Sequence, residues 1–494
     1  MADDKVTTEH PSYPALDALR GIFTDVCTGT KALRDKSEAY LPAFPKETDA
    51  SYAFRCETAT LVNYTLKTRD TLCGLVFQKD ITFGEDVPTV IQGTETTDGL
   101  IENIDNKGNH FNVFARDLFE SSFDGSAVIL VDAPTAQAAD LGEQRSLGIR
   151  PYWVAYKASD VINWDYQVNP VSKKTELSLI VLRESKTVRV GQFSRKPQLQ
   201  YRVFFLNEGR VNWQLWVEVE SKKKEKEFTL EQSGIVANQT QIPVAIVGDL
   251  CDKPPLMDLT YKNLEHYQTY SDYKSIIHKT CVPLFYSVNL DGDPVAIGGD
   301  VWFKCGENGS IGFAEVSGSS IDKTEKCLEN IKQEMAMLGL AMLAEKVQGD
   351  TTATEKMLDS IQETSSLQVR ATQLKDALEL ALRFTANYLN EKQGGSIELG
   401  CSWAQMALTS EEMTALSNLV DAGQLSLESF LWYLERTSKL PPDVDAKAEM
   451  ERIDKEMKDN VGIKPVVEAG KMPNEKGVTN GESSSVVTAS SEGV

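Results

Sequence analysis

Positive charge is what this chain is short of. Its 494 residues carry 51 Lys and Arg against 73 Asp and Glu, a net charge of −22. Gripping nucleic acid takes Lys and Arg against the phosphates, so the balance argues against a nucleic-acid clamp. It fits a soluble acidic protein, or a wall along which DNA slides without sticking. Histidine is scarce as well, with four in the chain. His266 and His278 stand twelve residues apart in one predicted helix, too far for an i,i+4 metal pair, and both are assigned structural roles. The cysteines at 27, 56, 73, 251, 281, 305, 327 and 401 include no C-x-x-C pair. That removes zinc and redox motifs and leaves reduced, mostly buried thiols. No run of about 18 apolar residues occurs, so no spanning helix and no membrane partner are expected. The polar, acidic start MADDKVTTEH does not read as a signal peptide.

Signatures of chemistry are missing too. There is no G-x-x-x-x-G-K-[ST], H-E-x-x-H or G-x-S-x-G. Gly306, Gly309 and Gly312 miss the dinucleotide-binding spacing and are read as turn residues. No acidic cluster has the placement a nuclease needs. No catalytic residue, metal ligand or cofactor is therefore assigned, and an enzyme is not expected. The length suggests two to four domains, and 41% hydrophobic with 25% charged residues is ordinary for a globular chain.

What is present is a change of pattern along the chain. Residues 16–33 and 51–75 space apolar residues by three and four, as helices do. The run GSAVILV at 125–131 reads as a buried strand. Between 150 and 250 the segments RPYWVAYKASDVINWDYQV, ELSLIVLRES, QYRVFFLNEG and NWQLWVEVES all read as strands with polar turns. KKKEKE from Lys222 is either an exposed hairpin tip or, as the lesser alternative, a DNA-binding patch.

From 256 to 389 the reading is helix, Gly-rich β insert, helix, polar loop and long helix. Asp291-Gly292 and Asn308-Gly309 are hairpin-turn signals inside the insert. Ile321, Leu328, Ile331, Met335, Leu338 and Met342 recur at seven, three and four, an a/d stripe expected to pack against neighbouring helices. A helix over 321–344 would be roughly 36 Å long. The next helix has a segment poor in helix formers, ETSSLQVRAT, and is expected to end at Gly394-Gly395. Two further helices are predicted within 408–440, and the tail from about 460 lacks a periodic core and reads as disordered.

Five segments, in order, carry a resemblance: RDTLCGLVFQKD (69–80), ENIDNKGNHFNVFARDLFESSFDGSAVILVDAP (102–134), RPYWVAYKASDVINWDYQV (150–168), DLTYKNLEHYQTYSDYKSIIHKTCVP (258–283) and LTSEEMTALSNLVDAGQLSLESFLWYLER (408–436). Together they resemble the portal proteins of tailed bacteriophages over roughly residues 10–455. KTCVP departs from the apolar ending expected of that helix.

The resemblance implies a fold and a role. The fold would be α+β and multi-domain: a wing at 1–255 with helical and β-rich parts, stem helices at 256–280 and 320–344, and a small α/β clip at 281–319. A tunnel loop at 345–352, a long wing helix at 353–395 and a crown at 396–459 would complete it. The subunits would form a homo-oligomeric ring, a dodecamer, at the capsid vertex of the virion, assembled in the host cytoplasm. Double-stranded DNA would pass through its channel during packaging and ejection. Lys346, Val347, Gln348, Gly349 and Asp350 of the tunnel loop would face DNA. The clip, with Asp291, Asp293, Glu307 and Asn308, would dock the terminase large subunit and then the head–tail adaptor. Major capsid protein and scaffold would be further partners. The readings that compete with it are another virion structural protein such as an adaptor or capsid subunit, an ordinary α/β scaffold protein, and a nucleic-acid-processing enzyme.

Overall fold

The computed structural model describes residues 5–94, 97–134, 148–169, 173–219, 227–280, 284–290, 305–314, 319–340 and 366–401, together with Leu431, Lys447, Glu449, Met450 and Arg452. The fold is α+β, with helices and antiparallel sheets. The chain divides into two units, Met1–Ala407 and Leu408–Val494.

The first unit opens with five helices: α1 (Tyr13–Thr28), α2 (Thr30–Asp35), α3 (Ser37–Tyr40), α4 (Asp49–Thr58) and α5 (Tyr64–Val76). The segment predicted as one helix over 16–33 is broken at Gly29, whose φ of 100° only glycine adopts without strain. The periodicity over 51–75 likewise covers two helices. Asn63 ends the gap between them: its side chain accepts the Leu66 N–H at 2.9 Å and donates to the Val26 carbonyl at 2.6 Å, fixing the start of α5 to α1.

Next come β1 (Thr82–Phe83), α6 (Thr89–Gln92), the two-residue pair β2 (Gly93–Thr94) and β3 (Thr97–Asp98), α7 (Phe111–Ser122), β4 (Ala127–Asp132) and β5 (Tyr152–Lys157). The predicted β-rich stretch is an antiparallel meander of β6 (Val161–Val168), β7 (Thr175–Arg189), β8 (Arg195–Asn207), β9 (Arg210–Val219) and β10 (Glu227–Ile235), each paired with the next. β11 (Val244–Val247) returns to pair with β4, giving a three-stranded sheet in the order β11-β4-β5. Residues 222–226 of the Lys222 run lie outside the described residues, and its last, Glu227, begins β10.

β4 is the wall between two cores. Side chains alternate across a strand, so Ala127, Ile129 and Val131 enter a core built largely of helices, while Val128 and Leu130 enter a core shared with the meander. Burial on both faces is why the sequence here is an unbroken apolar run rather than an alternating one. β11 divides in the same way, with Ala245 and Val247 on the helical side and Val244 on the other.

The remaining elements are α8 (Met257–Thr280), β12 (Leu284–Leu290), β13 (Cys305–Ala314), α9 (Ser319–Leu340), α10 (Ser366–Leu389) and β14 (Ile397–Glu398). α10 lays Leu367, Ala371, Leu374, Leu378 and Leu382 into the helical core at helical spacing. Its Thr385 hydroxyl accepts the indole N–H of Trp153 on β5 at 2.8 Å. The helix ends at Leu389, not at Gly394-Gly395. Asn390 takes the left-handed conformation, φ 58°, and supplies the stop. β14 then pairs with β1, so residues 397–398 belong to this unit rather than to a separate C-terminal part.

Candidate functional site

The candidate site is the helix–ribbon–helix formed by α8, β12–β13 and α9. Pro254 and Pro255 precede α8, and Asp258 stands in its first turn, where a carboxylate suits the positive end of the helix dipole. The first half of α8 is embedded. Leu256, Met257 and Leu259 enter the helical core, while Leu264 and Tyr267 join a small cluster with Val26, Leu33, Tyr40 and Leu61.

Polar side chains lock that half in place. Asn263 is fully buried; its side-chain oxygen accepts from the Thr65 backbone N–H at 3.1 Å and the Thr65 hydroxyl at 3.2 Å, and its NH2 donates to the Val62 carbonyl at 2.9 Å. Gln268 donates to the Tyr40 carbonyl at 2.8 Å. His266, 2% exposed, lies edge-on to Tyr64 and stacked on Tyr270, with neither ring nitrogen hydrogen-bonded. Burial, helped by the Lys332 charge, lowers its pKa and keeps the imidazole neutral. His278, roughly 18 Å further along the helix at about 1.5 Å per residue, is exposed against the Phe54 ring, beside a cavity of about 540 Å³ between α4 and α8. The two histidines share no site.

α9 runs back along α8. Leu328, Ile331 and Met335 are buried, Leu338 is half-buried on the core, and Ile321 is half-buried. The neighbour on which this stripe packs is α8 of the same chain. Lys262 of α8 meets Glu334 of α9 at 2.7 Å and Glu265 at 2.9 Å, and hydrogen bonding to these carboxylates raises its pKa. Asp322, Glu325, Lys326, Glu329 and Met337 of α9 are exposed. Burial is therefore graded along the pair. The start of α8 and the end of α9 are held in the core, while the end of α8 and the start of α9 are half-buried or exposed and carry the ribbon.

The ribbon is β12 paired antiparallel with β13. Asn308-Gly309 is not its hairpin turn. It lies inside β13, opposite a register break at Asn289, and both Asn289 (φ 53°) and Asn308 (φ 61°) are left-handed. An Asn-Gly pair signals left-handed backbone, which an irregular strand uses as readily as a turn. Asn308 is exposed. The side chain of Glu307, with Asp291, Asp293, Met342 and all of Lys346, Val347, Gln348, Gly349 and Asp350, lies outside what the structure describes. So do most of the C-terminal segment predicted as helices and the tail.

A cluster that pattern reading missed lies where β4 meets the meander. Arg202 on β8 bridges Asp132 at 2.5 Å and Glu184 at 2.9 Å. Glu184 also accepts from the Tyr156 hydroxyl at 2.5 Å and from Gln200, and Asp132 accepts from the Tyr152 hydroxyl at 3.1 Å. Burial pulls the Arg202 pKa down, but Glu184, Tyr156 and Asp132 outweigh it and hold the guanidinium charged. Burial, with Asp132, pushes Tyr152 up to about 12. Every member has a partner, so the cluster ties the two sheets together. The bonded partners are 16 to 70 residues apart in sequence, and no local motif could announce them.

Among the described residues, no group of three or more His, Cys, Asp or Glu is placed to hold a metal ion, and no helix is long and apolar enough to cross a membrane. Residues 255–389 match the profile of a family described as a domain of unknown function, DUF4055. Its limits fall within two residues of the start of α8 and at the last residue of α10. No curated protein matches the chain.

Proposed function

We propose that this chain is the subunit of a portal ring at the capsid vertex of a tailed bacteriophage. The observation that carries this reading is the graded burial of the α8–α9 pair. An antiparallel pair rooted in a folded body, with its far end exposed and tipped by a small β ribbon, suits a stem and clip repeated around a channel. On this reading residues 1–255 form the wing, α8 and α9 the stem, the β12–β13 ribbon the clip, and α10 the helix that recrosses the wing. The loop at 345–352 is the tunnel loop, and the crown follows β14.

The chemistry asked of such a ring is mechanical and electrostatic. Double-stranded DNA carries a charge about every 1.7 Å of axis, so a strongly cationic channel would hold it fast. A chain of net charge −22 favours sliding over gripping. The energy of packaging would come from a separate terminase motor docked at the ribbon, and the adaptor would later take its place.

The test is the native mass and negative-stain image of the purified full chain. Closed rings with a central hole, a dodecamer by mass, are expected. A monodisperse monomer or dimer across the micromolar range would sink the reading.

A further inference from the structure

The β7–β8 hairpin outruns its sheet. β6 pairs with β7 only up to Leu182, and β9 with β8 only from Gln200. Among the described residues, 185–199 therefore form a two-stranded ribbon whose strands pair only with each other. Its base is fixed by Glu218, which accepts the Leu199 N–H at 3.2 Å through its carboxylate and the Gln198 amide at 3.0 Å through its carbonyl. At about 3.3 Å per residue the ribbon reaches roughly 15 Å, close to two Debye lengths at physiological ionic strength. Its tip is thus screened from the charge of the body.

The composition of this ribbon is opposite to that of the chain. From 185 to 198 it holds Lys186, Arg189, Arg195 and Lys196 and no Asp or Glu. Arg189 and Arg195 are direct cross-strand partners, an arrangement that repels in isolation. Arg189 spends its guanidinium on the turn, donating to the Gly191 carbonyl at 3.1 Å and the Gln192 carbonyl at 2.7 Å. The turn so fixed leaves Val190 at 67% and Phe193 at 89% exposure. An isolated two-stranded ribbon is marginal in water. An aromatic knob inside a cationic collar is the form of an interface anchor.

We propose that this ribbon is an assembly arm that docks on a second copy of the chain. Phe193 and Val190 enter an apolar recess of the neighbour, and Lys186 and Arg195 face carboxylates around it. Charge complementarity selects this occupant. The ribbon is basic, and the rest of the chain carries all of the negative excess. A knob on one face and an acceptor on another make a heterologous contact, which closes into a ring when the rotation allows. The inference rests on the ring reading and names one contact that holds the ring.

Full-length wild type, Phe193→Ser and the double variant Lys186→Glu/Arg195→Glu are compared by sedimentation velocity and native mass spectrometry. Circular dichroism and melting confirm an unchanged fold, which the exposure of these side chains leads us to expect. Both variants should associate at least tenfold more weakly than wild type, and raising salt should weaken wild type more than the charge-reversed variant. Wild-type rings with equally stable variant rings would overturn this inference and leave the ring reading standing. Variant rings that are intact but no longer bind a labelled DNA duplex that wild type binds would overturn it in favour of a nucleic-acid contact. A wild-type monomer would overturn both.

Discussion

Met335→Ala offers the sharpest check on the α8–α9 pair. Met335 is 2% exposed within one chain, beside Ile331 at 3% and one turn above it. Truncating a Met buried to this degree costs about 2–5 kcal/mol, the lost transfer energy plus the cavity. Ala is a slightly better helix former than Met, which returns no more than a few tenths. The net loss should therefore be at least about 2 kcal/mol. It should fall on the opening of α9 from α8. Each 1.4 kcal/mol of opening free energy is a factor of about ten in exchange rate, so amide exchange across 319–340 should quicken at least about 30-fold. Mass spectrometry of peptides from α9 reads this directly, at a protein concentration low enough to hold the chain monomeric.

Met337 supplies the control. It lies two residues on, on the opposite face, at 71% exposure. Met337→Ala should change exchange by about twofold or less, because surface changes fall within about 0.5 kcal/mol. Equal, small effects at the two methionines would refute packing of the stripe within one chain. So would a Met335→Ala effect seen only at concentrations where subunits associate. Either result would mean that the stripe packs between copies. Because the burial is within one chain, Leu328→Asp with Met335→Asp would undock α9 from its own subunit before any question of assembly arose.

Asn263→Ala should loosen α5 from α8 by at least about 2 kcal/mol, because it strands the Thr65 N–H and the Thr65 hydroxyl, and buried unpaired groups cost about 1–3 kcal/mol each; the Val62 carbonyl loses one bond but keeps the Tyr64 N–H. Faster exchange confined to these two helices would support it, and unchanged exchange would contradict it. Gly125→Ala should lower the melting temperature through a loss of about 1–3 kcal/mol or more, since Gly125 has φ 125° and an added Cβ would stand 2.6 Å from the Asp252 carbonyl oxygen; a variant as stable as wild type would remove the case for strain. His266 makes stability fall with acid. Its folded pKa is below the ordinary 6.5, so the unfolded chain binds the proton first, and the penalty grows as pH drops from about 6.5 to the folded value. His266→Phe should flatten that part of the pH–stability curve, and an identical slope in the variant would exclude His266 as its source.

The sequence pattern discloses those elements whose signal is local, and it fails where a signal has two physical meanings. The meander and the α8 boundaries are local: alternation, polar turns and a Pro-Pro stop lie within a few residues of what they specify. The Asn308-Gly309 pair is local as well, but it encodes left-handed backbone, and both a hairpin turn and a strand irregularity satisfy that demand. A single helix over 16–33 fails for the same reason. Apolar spacing continues across Gly29 because α1 and α2 bury the same side, so the periodicity sees one stripe where the backbone makes two helices. Least legible are the buried arginines. Arg370 donates to the Ser122 and Gly125 carbonyls at 2.7 and 3.2 Å, and Arg20 to the Leu250 carbonyl at 2.8 Å, with no carboxylate among the described residues hydrogen-bonded to either guanidinium. Burial lowers both pKa values, yet a guanidinium stays charged at neutral pH. Each therefore has to be answered by carbonyl oxygens, and these come from elements more than a hundred residues away. A sequence read in windows assigns an arginine to the surface because its partners are outside the window. Arg370 bonds the turn between α7 and β4, where the helical core meets the strand that divides the two cores, and Arg20 bonds the segment between β11 and α8. The join is made by long-range polar contacts, and the wing of the proposed ring would owe its rigidity to them.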